Sequence, residues 1–317
     1  MNRSCYSCLK PLDRSLTKDL LHSHCYKKLF AGRKVSLRLK YDRKDLLEEA
    51  RQRATSMSLA GAQPKVAIAI MKGELHVVSE GGEFLLKPSN EKHPYISENE
   101  HLCMNIAATS KLTVPPFCLV ELADGELAYL IKRFDRNKGN KIHLEDMASV
   151  LSYPADRKYQ GSYLAIGKAI QRYCRDKGLD TSIFMRVVML SFLIGNNDLH
   201  LKNLSILDYQ THYALSPIYD LVCAMTYYPQ AGEMALELMP EYEGQLATRG
   251  FYSADDFIKL GAELGIEFSV SHYLAQSLVK DKIEIQALVQ CSFLPDDEKK
   301  KVAAIINEQN KKFCSAM

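Results

Sequence analysis

The sequence predicts an α+β protein with two lobes, the first rich in β-strands and the second all-helical. The segment VAIAIMKGELHVV predicts a β-hairpin that turns at Lys72-Gly73, and the segments GGEFLLKPS and LAYLIKRFD predict further strands. From about Leu144 onward the apolar residues recur mostly at helical spacing, and Pro295 splits the last stretch into two predicted helices. Strands that precede helices along the chain are typical of an α+β fold.

These signals divide the chain into three parts: a small Cys/His module over residues 1–32, a strand-rich lobe over 33–135 and a helical lobe over 136–317. One helix interrupts the strand-rich lobe, in the segment SENEHLCMNIAATSKL. There Ser97 and Glu100 have the spacing of a capping box, in which each side chain accepts a backbone N–H near the helix start.

The composition is that of an ordinary soluble protein of 317 residues, 47% apolar and 25% charged. A net charge of +3, from 41 basic and 38 acidic side chains, gives no sign of direct nucleic-acid binding. The first ten residues contain no apolar signal-peptide core, and no apolar run is long enough to span a membrane. Nine scattered cysteines indicate a reducing, cytoplasmic environment.

The segment GNNDLHLKN places polar side chains directly after the apolar run RVVMLSFLIG. An Asp followed five residues later by an Asn, here Asp198 and Asn203, can serve phosphoryl transfer. The Asp orients or deprotonates the attacking hydroxyl, and the Asn holds Mg²⁺. Asp220, seventeen residues further on at the end of a possible hairpin, supplies a second metal-binding group. The alternative is a solvated polar loop that ends a helix.

Two other segments offer partners for phosphate groups. Lys87 interrupts an apolar strand in FLLKPS, where a buried ammonium needs a counter-charge or a ligand. Glu100 could pair with Lys87, or it could remain the capping partner of Ser97. Upstream, SMSLAGAQPK places Gly61 among small residues, so that this loop could approach phosphates with its backbone amides.

The N-terminal module has the ligand spacing of a structural zinc site, formed by Cys5, Cys8, His22 and Cys25. His24 is a possible substitute ligand. The alternative is a pair of buried thiols in a helical hairpin.

Seven motifs occur in the order SLAGAQPK, FLLKPS, ENEHLCMNIA, IKRFDR, HLEDM, GNNDLHLKN and SPIYD. Together they resemble the HipA family of bacterial Ser/Thr kinases, the toxins of type II toxin–antitoxin modules. The match runs from about Ser56 to Asp220 and less clearly through the C-terminal helices. It implies a two-lobed protein-kinase-like fold. By this resemblance the additional N-terminal domain of HipA is missing, which makes the chain most similar to the short HipT-type kinases of three-gene modules.

The resemblance implies an ATP and Mg²⁺ site. Asp198 would be the catalytic base, with Lys202 stabilising the transferring phosphoryl group. His200 would lie in the same loop, facing ATP or orienting the loop by hydrogen bonds. The remaining implied residues are Asn203 and Asp220 for magnesium, Lys87 with Glu100 for the phosphates, Ser58 and Gly61 in the phosphate loop, Lys132, Arg133 and Phe134 under the adenine, and Asp135 near the ribose.

The resemblance also implies regulation and partners. Ser56 and Ser58 match an S-x-S autophosphorylation site, where a phosphate would repel those of ATP and inhibit the enzyme. The implied partners are a DNA-binding HipB-like antitoxin, a small HipS-like antitoxin in place of the missing domain, and an aminoacyl-tRNA synthetase as the substrate. Two other functions are compatible with the sequence: an antibiotic phosphotransferase, whose HGDxxxxN loop is similar, and a non-catalytic antitoxin-binding co-repressor.

Overall fold

The structure is a computed structural model that describes residues 4–12, 20–53, 63–137 and 140–315. These residues form two compact units. The first comprises the described residues up to Asn105 together with Pro115–Asn140 and Gln290–Pro295. The second comprises Ile106–Val114, Lys141–Val289 and the described residues from Asp296 onward.

The first unit contains an antiparallel five-stranded sheet in the order β2-β1-β3-β5-β4. Its strands are β1 (Val66–Met71), β2 (Glu74–Val78), β3 (Phe84–Pro88), β4 (Phe117–Glu121) and β5 (Leu127–Lys132). The predicted hairpin is confirmed, since Met71 pairs with Glu74 across the turn. Lys72 and Gly73 both have positive φ, 51° and 79°, which is the backbone of a tight two-residue hairpin turn.

Three helices accompany this sheet: α1 (Ser23–Phe30), α2 (Arg43–Arg53) and α3 (Ile96–Thr109). Residues from α1 and from the turn before it are buried in the same core as the sheet. The rings of Phe30 and Phe84, for example, lie 5.8 Å apart. Two short strands, β6 (Arg136–Asn137) and β7 (Asn140–Lys141), form a separate ribbon.

The predicted capping box at the start of α3 is wrong. The helix begins at Ile96, before Ser97. The Ser97 hydroxyl instead donates to the carbonyl oxygen of Lys87 at 2.8 Å, and the Ser97 N–H donates to Ser89 Oγ at 3.2 Å. Tertiary contacts with the end of β3 therefore fix this helix start, and the carboxylate of Glu100 binds Lys87.

The second unit is mainly helical, but the expectation of an all-helical lobe is wrong because it also contains a three-stranded antiparallel sheet, ordered β10-β9-β8. Its strands are β8 (His143–Asp146), β9 (Ser205–Asp208) and β10 (Tyr213–Leu215). The predicted split at Pro295 is confirmed by helices that end at Cys291 and begin at Asp296. The helices after β8 are α4 (Met147–Val150), α5 (Tyr163–Tyr173), α6 (Lys177–Leu193), α7 (Gly244–Arg249), α8 (Ala254–Glu263), α9 (Phe268–Lys280), α10 (Lys282–Cys291) and α11 (Asp296–Cys314).

Helix α6 is the buried element that leads into the polar loop. Its apolar residues from Phe184 to Leu193 are almost fully buried. The helix ends in a Schellman motif, in which the N–H of Gly195 donates to Phe192 and that of Asn196 to Ser191. Gly195 has φ 67°, and a Cβ there would collide with the Ile305 side chain, so glycine is required at this position.

Among the described residues, no helix has both the length and the apolar character that crossing a bilayer requires.

Candidate active site

Asp198 lies in the loop that follows the Schellman motif, and it is only partly buried while its sequence neighbours are buried. Its backbone N–H donates to Asn196 Oδ1 at 3.2 Å, and the Asn197 amide donates to the carbonyl oxygens of Tyr228 and Gly232, both at 3.0 Å. Asn196 thus fixes the backbone at Asp198, and Asn197 binds the loop to the segment around Tyr228 and Gly232. The Asp198 carboxylate is left facing outward from a fixed backbone.

A hydroxyl already lies against this carboxylate. The Tyr159 Oη donates to Asp198 Oδ1 at 2.6 Å. Burial, followed by the hydrogen bond to Asp198, raises the pKa of Tyr159, so the phenol stays protonated and is the donor. Asp198 can therefore accept a hydrogen bond from a hydroxyl, as a general base must.

His200 holds the next part of the loop. Its backbone N–H donates to Asn203 Oδ1 at 3.1 Å, and its Nε2 lies 2.8 Å from Lys158 Nζ. Burial lowers the pKa of His200, which favours the neutral ring that can accept from the lysine. These contacts correspond to the loop-orienting role, one of the two roles considered for His200.

Asn203 and Asp220 meet within the second unit. The Asn203 amide nitrogen donates to Asp220 Oδ2 at 2.6 Å. Asp220 has φ 62°, a left-handed backbone that is uncommon outside glycine and that occurs at functional sites. A carboxylate beside an amide fits Mg²⁺, which prefers oxygen ligands. The amide would have to turn its oxygen toward the ion, because this oxygen now accepts from His200.

Lys202 is held in an ion pair. Its Nζ lies 2.8 Å from Asp146 Oδ2, while the other oxygen of Asp146 caps α4 by accepting from the Ser149 N–H at 2.9 Å. Burial would raise the pKa of Asp146, but its hydrogen bonds from Lys202 and Ser149 lower it overall, so the carboxylate is charged. The ammonium of Lys202, four residues after Asp198 in the same loop, is thereby held by a carboxylate at the end of β8.

Lys87 and Glu100 form a buried ion pair in the first unit, with Lys87 Nζ 2.7 Å from Glu100 Oε1. The exposed fractions of the two side chains are 10% and 0%. Lys87 Nζ also lies 5.9 Å from the centre of the Tyr129 ring. Of the two roles considered for Glu100, pairing with Lys87 is thus the one observed, and it is the arrangement that kinases use at the phosphates.

The predicted adenine segment starts at Lys132, the last residue of β5, and continues beyond the strand to Asp135. The backbone N–H groups of Lys132 and Arg133 donate to Pro116 and Glu83 within the first unit. Asp135 accepts two hydrogen bonds from the Arg133 guanidinium, at 2.9 and 2.7 Å. Burial would raise the pKa of Asp135, but Arg133 and Arg136 lower it overall. Phe134 is partly buried in the same segment.

The four residues of the predicted zinc site are brought together in the first unit. One ligand atom from each of Cys5, Cys8, His22 and Cys25 lies within 4.8 Å of all the others. The Nε2 of His22 lies 3.0 Å from the Pro11 carbonyl oxygen. A proton on Nε2 would leave Nδ1, 3.3 Å from Cys8 Sγ, as the ligand.

Three thiols and an imidazole are the donor set of a structural zinc site, so this cluster could hold a metal ion. Cys5 and Cys8 lie in a turn between the bridged residues Ser4 and Pro11, and only Cys25 lies in a helix, so the alternative of a helical hairpin is wrong. The Nε2 of His24 is 3.2 Å from Cys25 Sγ. Hydrogen bonds from Cys25 and Cys8 lower the pKa of Cys5, which favours a thiolate there.

Three predicted site residues, Ser56, Ser58 and Gly61, lie outside the described residues. Three residues that sequence reasoning missed contact the catalytic loop: Asp146, Lys158 and Tyr159. Asp146 belongs to the quoted motif HLEDM, which could have indicated it. The adjacent lysine and tyrosine at 158 and 159 carried no signal in a single sequence.

Tyr159 also lines a cavity of about 790 Å³ in the second unit. The wall includes two further tyrosines, Tyr153 and Tyr252, and the acidic residues Glu233 and Glu237. The cavity thus lies beside the tyrosine that contacts Asp198.

Comparison with known proteins places this chain in a family. Residues 57–291 match the HipA-like C-terminal domain. A putative kinase from Haemophilus influenzae is 30% identical over 315 residues, which cover 92% of each chain. The serine/threonine-protein kinase toxin HipA of Shewanella oneidensis is 21% identical over 216 residues, covering 59% of this chain and 50% of that protein.

Two solved structures have a similar fold. The Shewanella oneidensis HipA chain, solved with HipB and operator DNA, has a TM-score of 0.66 at 18% identity, covering 85% of this chain and 71% of that one. The Helicobacter pylori proinflammatory kinase CtkA has a TM-score of 0.56 at 13% identity, covering 88% of this chain and 95% of that one. Both likenesses support the α+β kinase-like fold. The match to the HipA-like C-terminal domain spans most of the sequence, and the chain therefore belongs to the HipA family of kinases.

Proposed function

We propose that this protein is an ATP-dependent serine/threonine protein kinase. The observation that carries the proposal is the arrangement of Asp198, Asn203 and Asp220 in the second unit. The Asn203 amide and the Asp220 carboxylate are in contact at 2.6 Å, and Asp198 is presented from the loop that also carries Asn203. This combination of a base with two oxygen-bearing side chains is that of phosphoryl transfer.

In the proposed reaction, Asp198 accepts the hydrogen bond of a substrate hydroxyl. The Tyr159 hydroxyl occupies this position in the structure, which supports the accessibility of Asp198 Oδ1. As the hydroxyl oxygen bonds to the γ-phosphorus of ATP, its proton passes to Asp198 and ADP leaves. Lys202, held by Asp146, would counter the charge that develops on the transferring group.

Other side chains would bind the nucleotide. Lys87, held by Glu100, would bind phosphate oxygens, and the segment from Lys132 to Asp135 would lie at the adenosine. Asn203 and Asp220 would hold Mg²⁺, which when bound neutralises phosphate charge. Ser58 and Gly61 belong to the proposed phosphate loop, and His200 would orient the catalytic loop.

We further propose that the kinase acts in the cytoplasm as the toxin of a toxin–antitoxin module. The relative from Shewanella oneidensis is called a kinase toxin, and its structural counterpart was solved with HipB and operator DNA. By this likeness, a HipB-like DNA-binding antitoxin and a HipS-like small antitoxin are the proposed partners. The proposed substrate is an aminoacyl-tRNA synthetase, whose phosphorylation would halt translation.

A growth test addresses this role. Induction of the wild-type chain without antitoxins is expected to arrest growth, and Asp198→Asn produced at the same level is expected to leave growth normal. If Asp198→Asn is equally toxic, toxicity does not come from phosphoryl transfer. Relief of arrest by an overproduced aminoacyl-tRNA synthetase would identify the substrate.

Autophosphorylation at Ser56 and Ser58 is the proposed means of self-inhibition. A dianionic phosphate in a loop that binds ATP phosphates would repel the nucleotide. Incubation with ATP should place phosphate on one of these serines and reduce later activity. The double variant Ser56→Ala/Ser58→Ala should keep its activity over the same incubation, and a decline equal to that of the wild type would contradict the proposal.

The Cys/His cluster is proposed to bind one structural Zn²⁺. The convergence of three thiols and one imidazole supports it, as does the carbonyl partner of His22.

A further inference from the structure

We propose that the loop between Cys5 and Cys8 is a positioning element for Glu100, so that the metal bound by this loop determines how firmly the Lys87–Glu100 pair is held. The inference rests on the proposed function, because it assigns the metal site a role in the arrangement of the phosphate-binding lysine. The two residues between the thiol ligands, Tyr6 and Ser7, are its point of contact with the rest of the first unit.

The Ser7 carbonyl oxygen is bound by helix α3. It accepts from His101 Nε2 at 3.1 Å and from Asn105 Nδ2 at 2.9 Å, two side chains one helical turn apart. Both side chains are buried. A carbonyl in the metal-binding loop is therefore bound to the helix by two buried hydrogen bonds, each of which fixes the distance between the loop and α3.

The same loop is bound to the edge strand β4. Ser7 Oγ donates to the Phe117 carbonyl oxygen at 2.8 Å, and the Leu119 N–H donates to the Tyr6 carbonyl oxygen at 2.8 Å. The Tyr6 hydroxyl reaches Glu121 Oε1 at 3.1 Å. The loop is thus fixed between the sheet and the helix. It links α3 to β4, in addition to the direct hydrogen bonds between Ser97 and the end of β3.

Glu100 precedes His101 in the helix. Its carboxylate holds Lys87 at 2.7 Å, and Lys87 lies on the central strand β3 of the same sheet. A displacement of α3 relative to the sheet would lengthen this contact. The His101 ring also packs against the Phe117 ring, at 5.5 Å between centres, so the turn of α3 that carries Glu100 meets β4 and the loop together.

The shape of the loop depends on its ligands. The Ser7 N–H faces Cys5 Sγ at 3.5 Å, and Leu9 adopts a left-handed backbone with φ 60°. A metal that joins Cys5 and Cys8 to His22 and Cys25 would hold this turn closed. Without the metal, the three thiols and the imidazole are no longer joined through a common ion. The Ser7 carbonyl oxygen then loses its fixed position next to α3.

The test measures the accessibility of Lys87, which requires no kinase activity. The full chain, loaded with zinc or stripped by a chelator, is treated briefly with an amine-acetylating reagent, and labelling of each lysine is measured by mass spectrometry. Lys300, whose side chain is 79% exposed, serves as the internal reference. Metal removal is expected to raise Lys87 labelling about fivefold relative to Lys300, since it releases the two hydrogen bonds at Ser7.

A variant that keeps all four ligands separates positioning from global unfolding. Asn105→Ala should retain one zinc per chain and still raise Lys87 labelling about threefold, because it removes one of the two bonds. Thr109→Ala, one turn further along α3, is the matched control and should label like the wild type.

Unchanged Lys87 labelling in Asn105→Ala would overturn the inference, as would unchanged labelling of a stripped chain that circular dichroism shows to be folded. If stripping unfolds the chain, Asn105→Ala decides alone. Because labelling is independent of phosphoryl transfer, a chain without kinase activity would leave this result standing and would contradict only the proposed function.

Discussion

The hydroxyl of Tyr159 donates a 2.6 Å hydrogen bond to Oδ1 of Asp198, the oxygen proposed to receive the substrate hydroxyl. The Tyr159 side chain is half-exposed and packs edge-on against the His200 ring at 5.1 Å. The tyrosine must therefore leave Asp198 before a serine or threonine can take its place.

Replacing Tyr159 should for this reason favour the substrate. Tyr159→Phe is expected to raise kcat/KM for the protein substrate about fivefold, since a hydrogen bond to a charged group has a net strength of roughly 1.5–3 kcal/mol when buried and less when half-exposed. The ATP dependence should stay the same. Steady-state kinetics check this, with Tyr153→Phe from the same cavity as the control. A fall in kcat would show instead that Tyr159 positions the base.

Variants of the Lys87–Glu100 pair should change stability and activity independently of each other. Glu100→Gln is expected to lower the free energy of unfolding by about 3–5 kcal/mol, because the buried ammonium then faces a neutral amide. The double variant Lys87→Met/Glu100→Leu should recover most of that stability, since an apolar pair fills the same space without buried charge. It should nevertheless be inactive. Urea denaturation and phosphoryl-transfer assays measure the two quantities, and an active double variant would remove Lys87 from the site.

The Cys/His cluster predicts one zinc per chain. Metal analysis should find it in the wild type and in Cys314→Ser, which changes an exposed thiol outside the cluster. Cys8→Ser should lose most of the zinc and unfold at a temperature roughly 10 °C lower, because binding at a structural site contributes to folding. Zinc well below one per chain in folded wild-type protein would rule out the site.

The buried carboxyl group of Glu98 should make the free energy of unfolding depend on pH. Its side chain is buried in α3, and burial raises its pKa to about 7. The folded state therefore holds a proton that the unfolded state releases near pH 4.5. The contribution of this protonation to the free energy of unfolding is therefore fully present below pH 4.5. It is lost as the pH rises through 7, which lowers the free energy of unfolding by about 3 kcal/mol in all.

Glu98→Gln removes this titration. Unfolding free energies at pH 5 and pH 8 should differ less in the variant than in the wild type, with the variant relatively more stable at pH 8. Equal pH dependence in the two proteins would show that the carboxyl group does not titrate in this range.

Local sequence signals predicted the contacts between residues that lie close to each other in the sequence. Lys72-Gly73 predicted the hairpin because a two-residue turn between paired strands requires positive φ, which glycine adopts readily, and both residues have positive φ in the structure. The apolar run before Gly195 predicted a buried element leading into the polar loop. The spacing of Asp198 and Asn203 predicted that their side chains lie side by side, with Asp220 as a second metal-binding group, and the structure brings Asn203 into contact with Asp220.

Long-range partners could not be predicted in the same way. Strand β8 pairs with β9, about sixty residues later, and a short polar segment such as HLED carries no strand pattern of its own. The ion pair between Lys202 and Asp146 depends on that register. Ser97 failed as a cap because contacts with Lys87 and Ser89 outweighed a local signal.

The most direct test of the central claim is transfer of the γ-phosphoryl group of labelled ATP to protein in a cell lysate. The account predicts label on serine or threonine of one or a few proteins with the wild-type chain. Asp198→Asn should reduce the rate by about 10³-fold, within the range expected for loss of a general base. Equal labelling by Asp198→Asn, or label that appears on an added aminoglycoside and not on protein, would contradict the account.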